Sequence, residues 1–129
     1  MQKEKQMSKV VNVEKCFKKF NNTFSPKIVG ELNEQHVKVV RLEGDKVPWH
    51  THENEDEMFF VVDGILDIFE KDKNITLQTG EFYIVKRGVE HKVVPRGHVK
   101  IILFEPAGIA HTGKVKVEIT KESFDRLEL

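Results

Sequence analysis

Residues 44–64 read GDKVPWHTHENEDEMFFVVDG, and the spacing inside this stretch decides the reading of the whole chain. His50 and His52 stand two apart, and Glu57 follows the acidic run Glu53-Asn54-Glu55-Asp56 at the head of the apolar stretch Met58–Val62. Side chains at i and i+2 of a strand share a face, so the two imidazoles are expected to point together into the interior. A single histidine in a strand is more often a hydrogen-bonded structural residue than a ligand. Two imidazoles and a carboxylate at this spacing are a metal-binding set with coordination positions left open. Parity then sorts the following strand. If Glu57 faces inward, so do Phe59 and Val61, while Met58, Phe60 and Val62 face outward. Trp49, between inward positions, is sent outward.

Working outward from this stretch, short apolar runs are broken by Gly, Asp, Asn and Pro from Pro26 onward. Strands are expected at Ile28–Leu32, Val37–Leu42, Val47–His52, Glu57–Val62, Ile65–Glu70, Ile75–Leu77, Glu81–Val85, His91–Val94 and Val99–Phe104. The breaks Glu43-Gly44-Asp45, Asp63-Gly64, Lys71-Asp72-Lys73-Asn74 and Arg87-Gly88 carry turn chemistry. Many short strands at even spacing with no helix between them argue an all-β sandwich or small barrel. Before Pro26, Val10, Val13, Phe17, Phe20 and Phe24 recur in steps of three and four, the spacing of one helix face. Cys16 lies beside that stripe and is expected to be buried. Residues 1–26 are thus read as a polar tail and an amphipathic helix that packs on the barrel or a partner, 27–106 as the barrel, and 107–129 as a C-terminal extension. Thr120 is a candidate cap for a last helical turn.

Composition excludes several function classes. Lys plus Arg and Asp plus Glu both number 21 in the 129 residues, for a net charge of zero, which removes the long-range pull toward nucleic-acid phosphates. No apolar run reaches the roughly 18 residues of a spanning helix, so no membrane partner is expected. The N-terminus lacks the apolar core of a signal peptide and the single cysteine cannot pair internally, so a cytoplasmic location is expected. No phosphate loop, dinucleotide fingerprint, zinc cysteine set or serine nucleophile elbow is present.

A second cluster, Gly80, Gly88 and His91, puts a further histidine just after a glycine turn. With it the sequence resembles the cupin family, in particular small single-domain bacterial cupins, including those described as mannose-6-phosphate-isomerase-like. Gly44–Gly64 is similar to the first cupin motif, G-x5-H-x-H-x4-E-x6-G, at every fixed position. Gly80–Pro95 resembles the second, G-x5-P-x-G-x2-H-x3-N, with Lys86 where that motif has Pro and Pro95 where it has Asn. The resemblance implies a cupin-type barrel, a double-stranded β-helix or jelly roll, with a metal near one end held by His50, His52, Glu57 and His91.

Three imidazoles and one carboxylate suit one divalent transition metal, Fe, Mn, Ni, Co, Cu or Zn, and leave two sites on an octahedral ion. Phe59, Val61 and Val93 are expected to line the pocket, which suits a small organic ligand that chelates through oxygen. The function expected is that of a metal-dependent enzyme, of oxygenase or isomerase/epimerase type, acting on a small oxygen-rich molecule. The alternative is a non-catalytic module that binds or senses a metal or small ligand. A homodimer is expected from the outward apolar residues. His36, His98 and His111 are read as solvated surface, Glu53, Glu55 and Asp56 as a solvated rim, and Lys86-Arg87 as a plain turn.

Overall fold

The computed structural model describes residues 9–107 and 124–129. Among these described residues, seven strands form one sheet: β1 (Lys27–Leu32), β2 (Gln35–Glu43), β3 (Glu57–Glu70), β4 (Asn74–Leu77), β5 (Phe82–Val85), β6 (His91–Pro106) and β7 (Asp125–Arg126). Their order is β4-β3-β6-β2-β1-β7, with β5 also paired to β3, and every pairing except β1–β7 is antiparallel. This strand order fits the jelly roll that the sequence leads one to expect.

The long β3–β6 ribbon builds the roll. Glu57 starts β3 and His91 starts β6, so in an antiparallel pair they lie at opposite ends. A flat ribbon of this length would separate its ends by about 45 Å at ~3.3 Å per residue. Yet Glu57 Oε1 and His91 Nε2 are 3.3 Å apart. The ribbon therefore curls back on itself, and it does so where the register slips between Val61 and Ile65, opposite Arg96–Lys100. Gly64 stands there at φ +109°, with Gly97 on the facing strand at +69°, a backbone region glycine enters without steric penalty. A Cβ on Gly64 would lie 3.0 Å from Val99 Cγ2 and 3.2 Å from the His98 carbonyl oxygen.

This curl corrects the expected strand list. Asp63-Gly64 is a bulge inside one strand and not a turn, so Glu57–Val62 and Ile65–Glu70 are a single strand; His91–Val94 and Val99–Phe104 merge likewise. Val47–His52 is not a strand. Pro48 has no N–H to give a ladder, and only His50 pairs, through an isolated bridge to His91.

The N-terminal helix is also shorter than its spacing suggests. α1 covers only Val13–Phe17, started by the Asn12 side chain, which accepts from the Lys15 N–H at 2.9 Å. It stops because Arg41 takes the carbonyls beyond it: its guanidinium donates to the Phe17 oxygen and, at 3.0 Å, to that of Phe20. The apolar stripe is buried all the same, but split. Cys16, Phe17 and Phe20 pack with Val29 and Val39 on the outer face of the sheet, whereas Phe24 enters the interior with Val40, Phe59, Val61, Leu66, Ile101 and others. Val10 is fully exposed and off the stripe. The expected C-terminal helical turn is replaced at Asp125–Arg126 by a strand beside β1; Thr120 and His111 lie outside the described residues. Among the described residues no helix is long and apolar enough to cross a membrane.

Candidate metal centre

Four side chains from three segments meet inside one end of the roll. His50 and His52 come from the loop after β2, Glu57 from the first residue of β3, and His91 from the first of β6. The loop keeps the in–out alternation of a strand without its ladder: Trp49 is 41% exposed, while His50 and His52 are buried. It is tied to the second motif by three backbone bonds. His50 and His91 exchange N–H···O bonds of 2.9 Å, and the Gly88 N–H donates to the His52 carbonyl at 2.9 Å. The turn before His91 closes without the motif proline. The Val89 N–H donates to the Lys86 carbonyl, and the Asp56 carboxylate accepts from the Arg87 N–H at 2.9 Å and from Lys86 Nζ at 3.0 Å. Lys86 and Arg87 are thereby paired at the rim. These bonds hold the Asp56 carboxyl below the usual carboxylate range.

One donor atom from each of His50, His52, Glu57 and His91 lies within 4.8 Å of the others, and all four residues are buried. His50 Nδ1 faces the Pro48 carbonyl at 2.9 Å and His91 Nδ1 the Val89 carbonyl at 3.0 Å. A carbonyl only accepts, so each Nδ1 carries a proton and each Nε2 is the atom turned toward the cluster, where a metal would replace any proton that His91 shares with Glu57. His91 Nε2 lies 3.3 Å from Glu57 Oε1, and His52 Nε2 lies 3.5 Å from Glu57 Oε2 without a hydrogen bond. Burial lowers the His52 pKa, only partly offset by Glu105. Burial works the same way on His91, but the hydrogen bond and charge of Glu57 outweigh it, and the net shift is upward. Three imidazoles, two of them pinned through Nδ1, around one carboxylate fit a divalent ion of borderline hardness.

A cavity of about 30 Å³ adjoins the cluster. His50 and Glu57 form its polar side; Phe59 and Val93 are among its apolar walls, with Phe24, Val47, Ile101 and Leu103. Val61 is fully buried in the interior cluster, outside the lining.

Two charged residues here were missed by reading charge as surface. Lys38 and Glu105 are buried, and Lys38 Nζ donates to Glu105 Oε1 at 3.0 Å and stands 3.6 Å from the centre of the Phe124 ring. Burial, then the neighbouring Glu57, pushes the Glu105 carboxyl well above its ordinary value, with Lys38 opposing. Alternation held the signal: Lys38 shares parity with inward Val40 and Leu42, and Glu105 with inward Ile101 and Leu103. His36, expected on the surface, sits across from Glu105 on β2 with a side chain only 12% exposed, its Nε2 3.1 Å from Glu31. His98 is a surface residue beside Arg41.

Comparison with known proteins agrees with this geometry. A family model described as a cupin domain matches residues 38–105. A cupin-2 domain containing protein from Shewanella frigidimarina is 43% identical, with a TM-score of 0.72 over 75% of this chain and 94% of its own. A protein from Neisseria meningitidis is 24% identical, with a TM-score of 0.69 over 77% of this chain and 100% of its own. KdgF from a Halomonas species shares the fold at 23% identity and a TM-score of 0.54, over 63% of this chain and 78% of its own. No curated protein matches.

Proposed function

The chain belongs to the cupin-domain family, and from that premise we propose that His50, His52, Glu57 and His91 hold one divalent transition-metal ion at which a small oxygen-bearing molecule is bound and transformed. The observation that carries this reading is the convergence of four buried donors within 4.8 Å, with two of the imidazoles pinned through Nδ1 to backbone carbonyls. Four protein donors leave coordination capacity for a ligand. The ion, when bound, supplies Lewis-acid polarisation of a ligand oxygen. The rest is supplied by the chain. His50 and His91 hold their Nδ1 protons on backbone carbonyls and so turn Nε2 toward the ion, the apolar wall limits water, and Glu57 offsets the ion's charge. Glu105, a buried carboxyl that is not in the donor set, stands beside Glu57 and is paired with Lys38. A titratable carboxyl next to the donor set but outside it favours an enzyme, of oxygenase or isomerase/epimerase type, over a binding module.

The test compares metal-loaded protein, metal-stripped protein and His52→Ala, each screened against small diols, keto acids and sugars. Turnover by the loaded protein alone is expected. Ligand binding that needs the metal but gives no product would identify a binding or sensing module, and failure to take up any of Fe, Mn, Co, Ni, Cu or Zn would remove the reading.

A further inference from the structure

We infer that the molecule bound at this centre is a short-chain acid whose oxygens are confined to its chelating end and whose tail is aliphatic, as in a 2-oxo acid of three to five carbons, and not a sugar or polyol. The inference rests on the proposed metal centre and narrows what that centre takes.

The cavity beside the cluster has eleven lining residues, nine of them apolar. His50 and Glu57 are its two polar members among the described residues, and both belong to the donor set. Once it serves a metal, His50 has no capacity left for a ligand hydroxyl, since its Nδ1 is already engaged with the Pro48 carbonyl, and Glu57 offers at most its second carboxylate oxygen. Lys38 and Glu105 do not line the cavity, and they are paired with each other. Val40, Leu42, Ile101 and Leu103, inward residues of β2 and β6, give the cavity apolar walls.

Two consequences follow for a ligand whose tail enters this space. A methylene placed there leaves water for an apolar surface and strengthens binding about three- to fivefold. A hydroxyl placed against the apolar walls, away from Glu57, loses its water and finds no partner, which weakens binding at least about fivefold. A hexose would carry several such hydroxyls. Size acts in the same direction on the part of a ligand that enters the cavity, because about 30 Å³ is space for about two waters, or for a few carbons of a chain.

The test uses Co(II)-loaded full-length protein and follows its visible absorption during titration with pyruvate, 2-oxobutyrate, 2-oxovalerate, hydroxypyruvate and glucose. Hydroxypyruvate and pyruvate share one chelating end and differ by a single hydroxyl. Affinity is expected to rise about three- to fivefold from pyruvate to 2-oxobutyrate and to level off as the cavity fills. Hydroxypyruvate is expected to bind at least about fivefold more weakly than pyruvate. Leu103→Ala, which lengthens the cavity, moves the optimum to a longer tail. If hydroxypyruvate or glucose binds as tightly as 2-oxobutyrate, or if no acid of the series perturbs the Co(II) spectrum, the inference falls while the metal centre stands. Absence of Co(II) from the protein by elemental analysis removes the centre and the inference together.

Discussion

His91 and His52 are drawn to opposite sides of an ordinary imidazole. Burial holds His52 neutral, whereas Glu57 draws a proton onto His91 despite its burial. A metal must displace that proton, so affinity falls as pH drops through the raised pKa of His91. Chelator competition between about pH 5.5 and 8 is expected to show Co(II) affinity falling toward tenfold per pH unit at the acidic end; a flat profile would remove His91 from the donor set. Lys38 is a second residue-scale case. Its removal leaves Glu105 buried beside Glu57 with no cation, so Lys38→Met is expected to cost about 3–5 kcal/mol in urea unfolding. Lys38→Met with Glu105→Leu, which removes both charges, should cost much less. His50, His52 and Glu57 were legible as one set from spacing, because i, i+2 and the head of the next strand are local features, whereas His91, distant in sequence, entered only through the resemblance of the second motif. Lys38, Glu105 and His36 were not. Their polarity argues for the surface, and only tertiary pairing, Lys38 with Glu105 across β2 and β6 and His36 with Glu31 across β1 and β2, makes their inward placement tolerable.

The β3–β6 ribbon is the element on which the centre depends, since its curl brings Glu57 against His91. Gly64→Val would force a side chain into φ +109° and against Val99. Thermal unfolding should show a loss of about 1–3 kcal/mol from the backbone alone, with the steric contact added. Gly80→Ala is the control, because Gly80 also has a positive φ, +88°, but nothing within 4 Å of the added carbon. Equal losses at the two sites would mean that close packing at the curl does not matter. Most strand positions were legible from alternation and turn residues. The continuity of β3 and β6 was not, because Asp63-Gly64 has the same composition in a bulge as in a hairpin turn. The loop of His50 and His52 kept strand alternation while Pro48 denied it a ladder. Helical spacing before Pro26 marked which residues are buried, but Arg41, distant in sequence, ended the helix after Phe17.

For the whole molecule, two features remain to be satisfied. On the outer face of the sheet the N-terminal segment covers Val39, Val62 and Ile102, while Phe82 and Ile84 stay 58% and 41% exposed. Phe82 lies across from Phe60, and Ile84 across from Met58, which also faces Phe104, so these residues form one apolar strip. Two copies are expected to pair through it. Light scattering should then give twice the 15.0 kDa chain mass, and Phe82→Lys with Ile84→Lys should return the mass to that of one chain. The second feature is the buried donor cluster. An apolar interior that includes Leu66, Ile68, Val99 and Ile101 is expected to keep the metal-stripped protein folded at room temperature. That permits the most direct test, titration of stripped protein with Co(II), read by elemental analysis and visible absorption. One ion per chain is predicted for the wild type, with markedly weaker binding and an altered spectrum for His52→Ala. Binding of no ion by the folded wild type, or an unchanged spectrum and affinity in His52→Ala, would contradict it.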